Sequence, residues 1–597
     1  MSFLYIGDKG YEFKIGNNIL EIIQNNNLGM ESPCGGKGLC GKCKIKVLNG
    51  DINPLTKEEI KFLSKEEIKN NIRLGCLVYP KSDINVELLN KQNINHKILT
   101  DGYMPNFNKE VQIEKNIYDI KKPTLENNLS YEEILKNILN TEIEDYEILK
   151  NISNLFMYDK FSAVYINGEL TGLESSNISE EIYAIAVDIG TTTVVCSLVD
   201  IKKQCEIASE SEINPQKEYG LDVLSRINYI KNKDNGLETL HKSIIDCINK
   251  LINKLCENNC INKANIYEVS IAANTTMMHI LTNINPLSIG KSPYSPIFIK
   301  SKNLKSKELG INISNFGRVH LLPGVSSYIG ADIVSGVAVC DLKNESKNVL
   351  FIDIGTNGEM VLSQKGKLVS CSCAAGPALE GMNISCGMRA GDGAIENIKI
   401  EDNIKIKVIG DKIPIGICGS GIVDAISELA RLNLIGKTGR IAKKETIENH
   451  KELSHLSKFI VDENKKRRFI LISEPNEIAI TQEDIRQVQL AKGAILSGIY
   501  ALVDEANIKI DEIDEVIIAG QFGKHLSVES LVGVGIIPKE LKNKIKYIGN
   551  SSKTGAIMSL LSKDIRNSMD TIAYEIDYFE LSTKNGYERL FTDCLKF

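Results

Sequence analysis

A chain of 597 residues with 43% apolar content is too long for one core and apolar enough for several, at the usual size of about 100 to 200 residues per domain. Its 77 acidic and 71 basic residues leave a formal charge of -6, which supplies no basic surface for a phosphate backbone and excludes nucleic acid as an expected partner. No apolar run approaches the roughly 18 residues that cross a bilayer, and the first residues lack the charged-then-apolar layout of a secretion signal, so a cytoplasmic protein with no membrane partner is expected.

In chain order, residues 3–6 and 11–15 alternate around a turn at 7–10, which predicts a hairpin. Residues 17–24 predict a short helix, 44–48 a strand, 56–70 a charged helical stretch and 85–88 a last strand, the order of a small β-grasp sheet with a cysteine loop on its edge. A polar, weakly periodic linker follows at about 90–108, and acidic helical segments continue to about 159. Buried strands then run into Asp188-Ile-Gly-Thr and, much later, into Asp353-Ile-Gly-Thr, which points to two structurally repeated halves. The expected division is a β-grasp domain at 1–90, a linker at 91–112, a small middle domain at 113–180 and a two-lobed domain at 181–597, a multidomain α+β and α/β chain.

Cys34, Cys40 and Cys43 share the loop 33–43, and Cys76 follows on a distant strand. Thiolate sulfur is the soft ligand that cluster iron prefers, and a two-iron cluster takes four such ligands, here three from one tight loop and one from elsewhere. Gly35, Gly36, Gly38 and Gly41 let the backbone curl around the cluster and aim amide hydrogens at its sulfurs. Structural zinc also takes four cysteines but draws them from two short paired knuckles, and the second knuckle is missing. The spacing C-x5-C-x2-C resembles the adrenodoxin-like variant of plant-type [2Fe-2S] ferredoxins. That resemblance implies a potential near the roughly -400 mV of plant-type ferredoxins. The chain's other cysteines, including Cys256, Cys260, Cys371, Cys373 and Cys594, lack ligand spacing and read as small core residues.

An aspartate at the end of a buried strand, followed by glycine and hydroxyl residues, sets a carboxylate beside a turn whose amides and hydroxyls can hold phosphate oxygens. Asp188 with Gly190, Thr191 and Thr192, and Asp353 with Gly355, Thr356 and Asn357, resemble the two phosphate loops of the actin, Hsp70 and sugar-kinase superfamily, which implies ATP with Mg2+. Further glycine turns lie at 375–381 (Gly376), 416–424 (Gly419 and Ser420, opening an apolar helix) and 517–523, where Gly520, Gln521 and Phe522 resemble the element that approaches adenosine. The segment 549–555 opens another helix, without the spacing of a Walker loop.

Four further stretches narrow the resemblance: 219–227 (YGLDVLSRI), 273–279 (ANTTMMH), 322–332 (LPGVSSYIGAD) and 384–390 (ISCGMRA). With the cysteine loop and the phosphate turns they resemble the reductive activators of corrinoid proteins, over nearly the whole chain. The resemblance implies a protein that returns the corrinoid protein of a methyltransferase system from Co(II) to Co(I), drawing on a low-potential electron donor, in an anaerobic cytoplasm. It also points to a homodimer through the ATPase domain. Each 59 mV of uphill one-electron transfer costs about tenfold in equilibrium constant, so a second free-energy source must be coupled, and ATP as a conformational and release switch is the favoured one. Ser385, in the glycine-rich loop 383–393, is the expected weak axial donor to cobalt, and Asp188 and Asp353 are expected to orient Mg2+ or attacking water. Three alternatives stay open: a small-molecule kinase with a fused ferredoxin domain, an ATP-dependent electron-injecting activator of a dehydratase, and an ATP-gated binding module whose ferredoxin domain only docks.

Overall fold

A computed structural model describes the chain except residues 1, 27, 29, 31–35, 39, 90–100, 176–178, 464–465, 475 and 521–525. The expected hairpin is Ser2–Ile6 and Lys9–Phe13, and it joins Ile84–Leu88, Lys44–Asn49 and Ile72–Leu74 in a five-stranded sheet. Within that sheet the first strand runs parallel to Ile84–Leu88, with Leu4 opposite Ile84. Helix Ile19–Asn25 starts at Asn18, whose side chain accepts from the Glu21 amide, and its apolar face closes the core with Leu4, Ile45, Leu74 and Val86. The charged stretch at 56–70 is two short helices, Lys57–Phe62 and Lys65–Lys69, because Thr56/Glu59 and Ser64/Glu67 each form their own capping box.

The described part of the linker lies along the C-terminal half, with Tyr103 N donating to Ile548 O and Lys563 N to Glu110 O. The region beyond it departs from the helical expectation at its start: Ile113–Asp119 is a strand, paired antiparallel with Lys160–Ile166, which pairs in turn with Glu169–Glu174. The partner strand lies more than forty residues away, beyond the reach of local periodicity. Helices Tyr131–Leu139 and Tyr146–Leu155 cover this sheet through Leu135, Ile148, Ile152 and Phe161.

The C-terminal half repeats one plan twice. In the first lobe the hairpin Tyr183–Ile189/Thr193–Asp200 has the parallel strand Ile266–Ala273 on its free side. In the second, Asn348–Ile354/Gly358–Gln364 has Glu515–Ala519 in the same place. Each plan extends to six strands. Helices Ala331–Val339 and Ser551–Leu561 lie between the sheets, and Val334, Phe351, Ala556 and Leu560 join both lobes in one core. Strand ends of both hairpins therefore point into one cleft. Helices Gly419–Arg431 and Gln482–Glu505 cover the outer face of the second sheet through Ile422, Ile426, Val488 and Ile495. No helix among the described residues is long and apolar enough to cross a membrane.

Candidate functional site

The two Asp-Ile-Gly-Thr turns meet around one cavity of about 130 Å³, which also takes in Asn274, Asp332, Glu359, Glu380, Gly520, Asn550 and Ser552. That volume suits phosphate groups and a cation. Both turns are closed by their own backbone, Gly190 N donating to Thr193 O and Gly355 N to Asn357 O, each at 2.9 Å. The first is braced from outside. Asn214 Nδ2 donates to Gly190 O at 2.9 Å, Asn274 Nδ2 to Thr191 Oγ1 at 3.1 Å, and the fully buried Arg226 guanidinium to Thr191 O. Arg226 also donates to Gly220 O at 3.0 Å and Gln216 Oε1 at 2.9 Å. The stretches 219–227 and 273–279 thus act together, by fixing the backbone of one phosphate turn.

The electrostatics of the cavity are those of carboxylates forced together. Asp188 accepts from Asn550 Nδ2 at 2.8 Å and Ser552 Oγ at 2.7 Å, yet burial raises its pKa. Burial and the charge of Asp188 push Asp332 up to about 7, and burial with Asp332 and Asp188 does the same to Asp353. Glu359 is raised well above the ordinary carboxylate range by burial and by Asp332 and Asp353. Among the described residues no lysine or arginine lines the cavity. Among the described residues, phosphates entering it would meet hydroxyls, amides and carboxylates, a donor set that fits a divalent cation neutralising both sides.

Of the residues expected here, Asp188, Gly190, Thr191, Thr192, Asp353, Gly355, Thr356, Asn357 and Gly520 line the cavity. Gly520 has φ +90°, and a Cβ there would stand 2.5 Å from Asp353 Oδ1, so only glycine fits. Gly376 lies outside it, capping the short helix Pro377–Glu380 that carries Glu380 in. Gly419 and Ser420 do not line it either, since the Ser420 hydroxyl is spent on Glu396 O at 2.7 Å. Gln521 and Phe522 lie outside the described residues. Asn274, Asp332, Glu359, Glu380, Asn550 and Ser552 were not assigned from sequence. All but Glu359 sit inside glycine-rich or motif stretches already picked out, so a polar residue within such a stretch was the available signal.

In the N-terminal domain Cys43 and Cys76 are buried with sulfurs 3.3 Å apart, close enough to be ligands of one iron, and Gly75 N donates to Cys43 O at 2.7 Å. Gly36, Gly38 and Gly41 have φ of +81°, +71° and +66°, the curled backbone that a cluster loop needs. Cys40 stands on the same loop, partly exposed; Cys34 lies outside the described residues. Thiolate donors, close sulfurs and a glycine-curled loop fit an iron–sulfur cluster.

The loop faces the C-terminal half. Cys40, Gly41 and Lys42 line one wall of a cavity whose other wall includes Asn383, Ser385 and Asp484. Ser385 is exposed at the tip of its loop and is held by Asp484, which accepts from Ser385 N at 2.7 Å and Ser385 Oγ at 3.1 Å. Glu21 pairs with Lys233 at 2.7 Å and Gln24 donates to Glu218 O across the same junction.

Comparisons with known proteins agree with this layout. Residues 4–81 match the 2Fe-2S iron–sulfur cluster binding domain, 183–345 the RACo middle region, and 347–597 the C-terminal domain of RACo, the ASKHA domain. The corrinoid activation enzyme RamQ of Eubacterium limosum is 31% identical over 578 residues, 95% of this chain and 93% of its own. The [Co(II) methylated amine-specific corrinoid protein] reductase of Methanosarcina barkeri is 24% identical over 445 residues, 68% of this chain and 76% of its own. The solved structure of a reductive activator for corrinoid, iron–sulfur protein superposes with a TM-score of 0.72 at 31% identity, covering 100% of this chain and 98% of that one.

Proposed function

Because this chain belongs to the family of reductive activators of corrinoid proteins, we propose that it is the ATP-dependent activator of a methyltransferase corrinoid protein, returning its cobalt from Co(II) to Co(I) with one electron. The observation that carries this reading is the shared cavity in which Cys40, Gly41 and Lys42 face the Ser385 loop, a loop of the same lobe that supplies the second phosphate turn. Cys34, Cys40, Cys43 and Cys76 are the proposed ligands of a [2Fe-2S] cluster, which when bound supplies a low-potential electron and is refilled by a donor outside this chain. The proposed division keeps the electron carrier in 1–90, the linker in 91–112, the middle domain in 113–180 and the ATPase in 181–597.

The chain's own residues then have three tasks. Asp188 and Asp353 hold Mg2+ or its waters, while Gly190, Thr191 and Thr192 on one turn and Gly355, Thr356 and Asn357 on the other hold phosphate oxygens. Gly520, Gln521 and Phe522 are the proposed adenosine contacts, and Gly376, Gly419 and Ser420 support the surrounding backbone. Ser385 gives its hydroxyl hydrogen to Asp484. Its lone pairs are thereby left for an incoming cobalt face. Bound MgATP supplies the free energy that an uphill transfer lacks, through docking and release rather than through phosphorylation of a substrate.

An anaerobic visible spectrum of a Co(II) corrinoid protein mixed with this protein and a strong reductant tests the reading. The Co(I) band should appear with ATP and not without it, and should be lost in Cys43→Ser. Persistent Co(II) across several corrinoid proteins while ATP is consumed would overturn it.

A further inference from the structure

Glu380 joins the two phosphate turns across the cleft. One of its carboxylate oxygens accepts from Thr192 Oγ1 at 2.7 Å and the other from Thr356 Oγ1 at 2.6 Å. The residue is nine-tenths buried and ends the short helix Pro377–Glu380, whose next residue begins the segment that carries Ser385. We propose that Glu380 is a phosphate-sensing residue, which competes with nucleotide phosphate oxygens for the hydroxyls of Thr192 and Thr356 and passes the outcome to the Ser385 loop.

The competition follows from the chemistry of the donors. A threonine hydroxyl has a single hydrogen to give, so a hydroxyl bonded to Glu380 cannot also donate to a phosphate. Carboxylate and phosphate carry the same sign of charge, and beside the nine-tenths buried Glu380 and Thr356 the repulsion is less screened than in bulk water. A nucleotide that takes both threonines must therefore displace Glu380.

The displacement cannot stay local. Gly381 has φ +79°, and a Cβ there would stand 2.3 Å from Met388 O, while one on Gly387 would stand 2.0 Å from Gly381 O. The two ends of the loop 381–388 are thus in direct backbone contact. Gly387 N donates to Ile384 O and Met382 N to Pro377 O, each at 3.1 Å, which ties the loop to itself and to the helix carrying Glu380. A movement of Glu380 shifts 381–388 as a unit and loads the bonds between Ser385 and Asp484 at its tip. Nucleotide state would in this way reach the face opposite Cys40 by a path of a few residues.

This inference rests on the reading of the cleft as a nucleotide site. It is tested by titrating wild type, Glu380→Gln and Glu380→Ala with MgATP by calorimetry, and by following amide hydrogen exchange in 381–388 with and without a non-hydrolysable ATP analogue. Both variants should bind ATP about tenfold tighter, since an anionic competitor is removed. The analogue should speed exchange at 381–388 in wild type, while Glu380→Ala should exchange fast in both conditions. Glu380→Gln, which can accept from one hydroxyl and donate to the oxygen of the other, frees one hydroxyl hydrogen for phosphate and controls for folding. Wild type that binds ATP, with variants that bind no tighter or a loop response that persists in Glu380→Ala, overturns this inference alone. Wild type that binds no nucleotide overturns the nucleotide reading and this inference with it.

Discussion

Five carboxylates lining one cavity, with no lysine or arginine beside them among the described residues, have a direct pH consequence. Asp332 and Asp353 are pushed up to about 7, so each is partly protonated near neutrality, and a cation must displace those protons to bind. MgATP affinity should therefore fall as pH drops through 7, by up to about tenfold per pH unit for each proton displaced. The sign for stability is opposite without the cation. The folded state holds protons that the unfolded state has lost between the ordinary carboxylate range and about 7, so these groups cost stability as pH rises through that window. The increase in Tm on adding MgATP should accordingly be larger at about pH 8 than at about pH 6, measured by differential scanning fluorimetry. Equal shifts at both values would mean that these aspartates do not face the cation.

At the scale of elements, what positions Cys76 is a buried ion pair beside it. Arg73 on strand Ile72–Leu74 donates to both oxygens of the fully buried Glu59, at 2.7 and 2.8 Å, and to the carbonyls of Asn53 and Pro54 at 3.2 Å. Glu59 also accepts from Leu74 N at 3.1 Å. Burial opposes the charge on Glu59, but these bonds outweigh it and hold the carboxylate ionised below its ordinary range. Removing one partner leaves an uncompensated buried charge, at a cost of about 3 to 5 kcal/mol. Arg73→Ala should lower the unfolding temperature of the N-terminal domain and its cluster absorbance, and leave ATP binding unchanged. Loss of nucleotide binding in that variant would show that the two halves fold as one unit.

At the scale of the whole molecule, polar contacts at the junction between the N-terminal domain and the first lobe include Glu21 with Lys233 and Gln24 with Glu218 O. A surface ion pair such as Glu21–Lys233 contributes about 0 to 1 kcal/mol to that docking. Lys233→Glu should favour the undocked arrangement, seen as a larger radius of gyration in small-angle scattering, with both domains unfolding as in wild type.

The local chemistry was legible in the residues: the cysteine spacing, the two Asp-Ile-Gly-Thr turns, the β-grasp order and the repeated halves all follow from patterns within short windows. The cap residues Asn18, Thr56 and Ser64 could be read in the same way, since a cap acts on the next three residues. Pairings across long separations could not. The strand Ile113–Asp119 depends on Lys160–Ile166, and Glu380 joins Thr192 to Thr356 although one of them lies 188 residues away. Asp332 and Asp353 likewise owe their raised pKa values to neighbours brought in by other strands and helices. Sequence specified which groups could bind iron and phosphate, because side-chain chemistry is carried by the residue itself. Only the packing of two lobes decided which carboxylates share one cleft, because desolvation and charge repulsion act through distance and not along the chain.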